Sequence, residues 1–143
     1  MAYSGKYSPS NPRKYKGNPT EIYYRSSWEL KFMKWCDGNP NVLEWGSEEI
    51  VVPYRSPLDG KYHRYFVDFY IKVNTANGTK KYLIEIKPKK QTIEPQVQQR
   101  KTKKYIYEVA TYVKNVAKWE AAKEYCEDRR MEFLILTEDH LNV

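Results

Sequence analysis

The most regular stretch of the chain runs from Tyr62 to Val73, where Tyr65, Val67, Phe69, Ile71 and Val73 alternate with Arg64, Phe66, Asp68, Tyr70 and Lys72. A period of two is that of a strand with one face on a core. Asn77-Gly78 supplies a hairpin turn, and Lys81 to Lys87 returns with Tyr82, Ile84 and Ile86 alternating against Leu83, Glu85 and Lys87, until Pro88 stops it. Upstream, Val42–Trp45 and Glu48–Tyr54 are short β-branched and aromatic runs that predict two strands of a meander. Before them, Ser26-Ser27-Trp28-Glu29 has the form of a capping box, with Trp28, Phe32, Trp35 and Cys36 following at helical spacing, until Asp37-Gly38-Asn39-Pro40 ends the helix. From Pro95 the period becomes helical, with Val97, Tyr105, Ile106, Val109, Tyr112, Val113 and Val116 near one face, and a second helix or bent continuation carries Trp119, Ala122 and Cys126 to about Arg130. Met131 to Thr137 is an apolar run suited to a buried strand.

Residues 1–24 follow no such period. Pro9, Pro12 and Pro19 with Gly5 and Gly17 predict an extended arm, but Tyr3, Tyr7, Tyr15, Tyr23 and Tyr24 are too many for a purely solvated one. Part of it is expected to lie against the domain or a partner, which leaves residues 25–143 as one domain.

Composition narrows the class. The 143 residues are 41% hydrophobic and 30% charged, with no apolar run near the roughly 20 residues that a membrane-spanning helix needs, so a membrane protein is not expected. The first ten residues have no apolar stretch after Lys6, which predicts a protein without a secretory signal that stays inside a cell. Cys36 and Cys126, like His63 and His140, stand too far apart for a disulfide framework or a zinc cluster, and the two thiols read as small buried hydrophobes.

The net charge of +7 is unevenly spread. Residues 1–27 hold five basic side chains against one acidic, and residues 87–104 hold seven against one, while the rest is neutral or acidic. Local excesses of this kind suit a polyanion such as DNA, the alternative being a solvated surface. In the second segment Lys87, Lys89, Lys90, Arg100, Lys101 and Lys104 are candidate phosphate contacts, with Arg100, Lys101 and Lys104 along one edge of the predicted helix.

The candidate chemistry lies where that segment begins. Glu85 and Lys87 share a strand face, and Asp68 comes from the preceding strand. A two-residue Asn77-Gly78 turn sets Asp68 opposite Lys87 and diagonal to Glu85; a register shifted by two sets it opposite Glu85 itself. Two neighbouring carboxylates repel unless a cation joins them, and hard oxygen donors suit Mg²⁺, with Mn²⁺ as a substitute, the remaining positions going to water and phosphate oxygens. Such an ion activates water for attack on a phosphodiester, and Lys87 is placed to hold that water or offset charge in the transition state. The competing reading is an ion pair between strands on a solvated face. Glu29 is a fourth candidate, though as the third residue of its helix it needs only a capping role.

The element order, with Glu29 in Arg-Ser-Ser-Trp-Glu, Asp68 in Tyr-Phe-Val-Asp-Phe-Tyr and Glu85-Ile-Lys87 in Tyr-Leu-Ile-Glu-Ile-Lys-Pro, resembles the PD-(D/E)xK nuclease superfamily. Ser-x-x-Glu on the first helix looks like the transposase endonuclease-subunit branch, and the size, arm and Tyr-x-x-Glu-x-Lys-Pro strand are similar to head completion nucleases of tailed bacteriophages. The resemblance spans about residues 20–137. It implies an α/β fold with a restriction-endonuclease-like αβββαβ core, a mixed central sheet flanked by helices. It also implies a Mg²⁺-dependent DNA endonuclease, with Asp68 and Glu85 as metal ligands, Lys87 as the catalytic lysine and Glu29 as a metal-site or water-positioning acid. Val67 stands where the superfamily name has proline. The head completion likeness implies work on DNA at a filled phage head before tail joining, with portal or neck proteins as partners, in the virion head or neck and in the host cytoplasm during assembly. Two alternatives stay open: a transposition, restriction or junction-resolving nuclease, and a non-catalytic neck or DNA-binding protein on the same scaffold.

Overall fold

The computed structural model describes residues 3–142. Helix α1 (Ser27–Gly38) begins as the capping pattern predicts: the Ser26 hydroxyl accepts the Glu29 N–H at 3.1 Å. The strands β3 (Val42–Ser47), β6 (Phe69–Thr75), β7 (Gly78–Ile86) and β8 (Glu132–Leu136) form one sheet in that order. Its β3–β6 and β6–β7 pairs are antiparallel and β7–β8 is parallel, with the long helix α2 (Lys103–Asp128) as the crossover between them. With α1, these elements make the mixed αβββαβ core.

Alternation puts two cores on the two faces of this sheet. On one face Phe69, Ile71 and Ile84 meet Phe32, Met33 and Cys36 of α1; on the other Tyr70 and Leu83 meet Trp119, Ala122 and Cys126 of α2. Both cysteines are free and buried. A short helix α3 (Glu138–Leu141) follows β8 and packs Leu141 under α1.

Several elements differ from the sequence reading. The predicted strand from Tyr62 to Val73 is broken at Val67-Asp68: β5 (Tyr62–Phe66) pairs with β4 (Val51–Arg55) in a hairpin of its own, and only β6 joins the central sheet. The predicted meander of two strands is therefore also split between sheets. The break reverses the alternation, so Tyr65 and Val67 face α2 whereas Phe69 and Ile71 face α1. The β6–β7 turn sits at Ala76-Asn77, and Thr75 pairs with Gly78, whose φ of +105° favours glycine. Helix α2 starts at Lys103 and not near Pro95, with the Thr102 hydroxyl accepting the Tyr105 N–H, and it runs unbroken to Asp128. Its buried stripe is Tyr105, Asn115, Trp119, Ala122 and Cys126; Val97, Ile106 and Val113, expected on the core face, are exposed.

The first residues are tied down. β1 (Gly5–Lys6) pairs with β2 (Tyr23–Tyr24), Ile22 and Tyr15 enter the α1 core, and the Tyr15 ring meets Trp45 edge-on at 4.8 Å. At the C-terminal end of α1, the Tyr7 hydroxyl and the Ser10 and Asn11 amides donate to the Asp37 carboxylate, and Lys14 Nζ donates to the carbonyls of Cys36, Asp37 and Asn39. The Lys14 bonds satisfy carbonyls that a helix end leaves without partners. No helix among the described residues is long and apolar enough to cross a membrane.

Candidate active site

The break before β6 places Asp68. The β6–β7 register pairs Phe69 with Ile84, so the next position sets Asp68 across from Glu85. No ladder bond forms there; instead Asp68 Oδ2 accepts the Ile86 N–H at 2.8 Å, while the Asp68 carbonyl accepts the Glu48 N–H at 3.0 Å. Of the two registers that the turn allowed, the structure takes the one shifted by two, because the turn is at Ala76-Asn77. Lys87 lies beyond the last ladder pair, its N–H donating to the Leu136 carbonyl at 3.0 Å.

Glu85 is buried among the α2 core residues. Its Oε2 accepts a short hydrogen bond from the Tyr65 hydroxyl, and its Oε1 stands 3.8 Å from Lys87 Nζ. Burial, and then the charge of Glu85, push the Asp68 carboxyl well above the usual carboxylate range; the Ile86 N–H and Lys87 only partly offset them. Burial likewise raises Glu85, against the Tyr65 hydroxyl and the charges of Lys87 and Lys118. The pair is thus placed to share a proton when no cation lies between them.

Glu29 reaches this site by charge. Its Oε1 accepts the Arg25 N–H at 3.2 Å, closing the capping arrangement one residue before the N-cap. Burial and then the Asp68 charge raise its pKa. It therefore caps its helix and lies near enough to Asp68 to feel its charge. Three residues enter that sequence reasoning did not single out. Glu48, read there as the start of a strand run, follows β3 in the left-handed region at φ 55°, pairs with Arg25 at 2.8 Å, and raises both Asp68 and Glu29. Its neighbour Ser47 pairs with Phe69, and that strand pairing was not visible in the sequence. Tyr65 was read as a core residue, and its hydroxyl is the partner of Glu85. Lys118 projects from α2 over the rings of Tyr65 and Tyr54, at 5.4 and 5.9 Å from their centroids.

The basic segment is less uniform than its sequence. Lys89 donates its N–H to Glu138 and its ammonium to Asp139 at 3.2 Å, and Lys104 stands 4.0 Å from Glu108. Arg100 and Lys101 precede α2, so they do not form a helical edge with Lys104; Lys101 Nζ lies 5.2 Å from the Tyr105 ring centroid. Lys90 is exposed in a 3₁₀ turn over Lys89–Thr92.

Among the described residues no three His, Cys, Asp or Glu side chains close into a ready ligand cluster. The donor chemistry at Asp68 and Glu85 nonetheless fits a hard divalent cation: two adjacent carboxylates, both with raised pKa values, each with one oxygen already held by a protein donor.

Comparison with known proteins bears on the fold and the activity. The model of the TnsA-like endonuclease N-terminal family matches residues 39–138. The chain is 44% identical over 145 aligned positions to the head completion nuclease of Enterobacteria phage T4, covering 99% of this chain and 95% of that protein. No solved structure matches. With a core of this topology, and on these two matches, the chain belongs to the TnsA-like endonuclease N-terminal family and is a DNA endonuclease.

Proposed function

We propose that the protein cuts DNA with a divalent cation, Mg²⁺ or Mn²⁺ in its place, at a site built from Asp68, Glu85 and Lys87, with Glu29 at its rim, and that it does so in phage head completion. The observation that carries the chemistry is the facing pair Asp68 and Glu85, buried enough to raise both carboxyls, with Lys87 at 3.8 Å as its ion-pair partner among the described residues. The biological setting rests on the likeness to the phage T4 head completion nuclease over nearly the whole of both chains.

Asp68 and Glu85 would hold the ion, which when bound supplies an activated water and offsets charge on the phosphate. The Ile86 N–H and the Tyr65 hydroxyl fix one oxygen of each carboxylate and so aim the other. Lys87, held close to Glu85, positions the attacking water or stabilises charge on the phosphate oxygens. Glu29, with one oxygen on the Arg25 N–H, orients water at the rim or adds a ligand. Lys89, Lys90, Arg100, Lys101 and Lys104 contact DNA phosphates, which favours binding with little base preference. We assign residues 25–143 to the nuclease domain and residues 1–24 to its arm, with portal or neck proteins of the phage head as partners besides DNA, and work in the host cytoplasm and at the virion head or neck.

The test is cleavage of supercoiled plasmid by the purified protein. Nicking or cutting with Mg²⁺ that stops with EDTA is expected. Equal cleavage in EDTA overturns the metal assignment, and full activity of Asp68→Asn overturns the site.

A further inference from the structure

On the sheet face opposite α1, α2 carries Lys114 and Lys118 one turn apart. Both are partly buried, and neither makes an ion pair among the described residues. Like charges at this spacing destabilise a helix, and a third lysine of the group, Lys87, directly follows β7. The Lys118 stem is held between α2 and the β4–β5 hairpin, its ammonium over the rings of Tyr54 and Tyr65. Since Tyr65 also donates to Glu85, the rings fix Lys118 beside the carboxylate pair.

We propose that Lys118 and Lys114 form a phosphate-binding site on α2 that takes a DNA backbone phosphate next to the scissile one. The inference rests on the nuclease reading of Asp68, Glu85 and Lys87 and adds to it a strand-holding contact from a different element. Lys118 feels the charges of Glu85 and Asp68 but forms no ion pair with either among the described residues, so this half-buried, aromatic-backed cation is incompletely neutralised, and an incoming phosphodiester supplies the missing charge. Burial, followed by the charge of Lys114, lowers the Lys118 pKa, while Glu85 and Asp68 raise it, as expected for an ammonium between a like neighbour and two acids. The site lies on α2 itself, whereas Lys89, Lys90, Arg100 and Lys101 lie in the segment before that helix. It therefore gives the DNA a second line of contact across the catalytic strand end.

Binding of a short duplex is measured in EDTA over a salt series, so that no cleavage enters the reading. Lys118→Met keeps the apolar stem over the two rings and removes the charge. It is expected to weaken binding about tenfold at low salt and to lower the salt slope by about 0.9, with a further step of similar size in the Lys114→Met/Lys118→Met protein. Lys118→Arg should restore both quantities, which a packing role alone would not require. Unchanged affinity and slope in both methionine variants, with circular dichroism matching the parent, overturn the proposal and leave the lysines as counter-charges to Glu85 and Asp68. The two readings fail separately: Lys118-dependent binding without cleavage under any divalent ion removes the nuclease site and keeps the phosphate contact, whereas EDTA-sensitive cleavage with Lys118-independent binding does the reverse.

Discussion

Asp68 faces Glu85 across the end of β6 and β7, at the one position where the strand pairing stops and the carboxylate of Asp68, not its backbone, takes the Ile86 N–H. The pair thus sits where the sheet's own hydrogen bonding runs out, and the Ile86 N–H and the Lys87 charge relieve its repulsion only in part. In the absence of metal, Asp68→Asn is expected to raise the melting temperature by about 3 °C, the scale of about 1 kcal/mol in a domain of this size. The amide can still accept from Ile86 and can donate to Glu85. The same protein should lose cleavage and bind DNA as tightly as the parent or more so, because a charge that repels phosphate has gone. A fall in melting temperature would show that the pair is not strained by its charge.

Lys87→Ala should leave metal affinity within about threefold, by calorimetry with Mn²⁺, and slow single-turnover cleavage by about 10²-fold or more. Glu29→Gln keeps an oxygen for the Arg25 N–H, so it separates cap from chemistry. A rate loss with an unchanged melting temperature places Glu29 in the site, and an unchanged rate removes it.

Tyr65→Phe deletes the donor to a buried carboxylate. A loss of about 1.5–3 kcal/mol in metal-free stability is expected, read by urea unfolding, as for hydrogen bonds to charged groups. Metal affinity should fall with it, since Glu85 is no longer aimed.

Docking of the first residues should depend on acid. Burial disfavours ionised Asp37, but the hydrogen bonds from Tyr7, Ser10 and Asn11 and the charge of Lys14 outweigh it, so the carboxyl is held below its ordinary value. A lowered folded pKa contributes stability that is present in full above the unfolded value near about 4 and is lost as pH falls through the folded value. Hydrogen exchange at residues 7–16 should therefore rise as pH is lowered below about 4, after correction for intrinsic rates. Asp37→Asn should show fast exchange there already at neutral pH.

Replacing Arg100, Lys101 and Lys104 with alanine should lower the salt slope of duplex binding by at most about 0.9 for each phosphate that the protein ceases to hold. Lys104 is expected to contribute least, because Glu108 lies 4.0 Å from its ammonium. A sequence-dependent loss of affinity would contradict a phosphate role.

Short-range patterns in the sequence were enough to specify much of this molecule. Ser26 to Glu29 announces the start of α1, the alternation of Tyr82 to Lys87 sets Glu85 and Lys87 on one face, and the order of elements around Glu29, Asp68 and Glu85-Ile-Lys87 carries the family likeness. These follow from caps and from strand and helix periods, which act between near neighbours. Where α2 begins did not follow, because Val97 fits the helical period yet has no core to meet, and Thr102 provides the first cap backed by packing further on. The break at Asp68 was hidden in an unbroken alternation, since Tyr62–Phe66 and Phe69–Thr75 have the same period and differ only in which strand pairs with each. Glu48, Tyr65 and Lys118 come to Asp68 and Glu85 from the end of β3, the β5 hairpin and α2, elements far apart along the chain. Their convergence depends on strand register and on how α2 seats Trp119 and Ala122 against Leu83, and such long-range packing leaves no local signature.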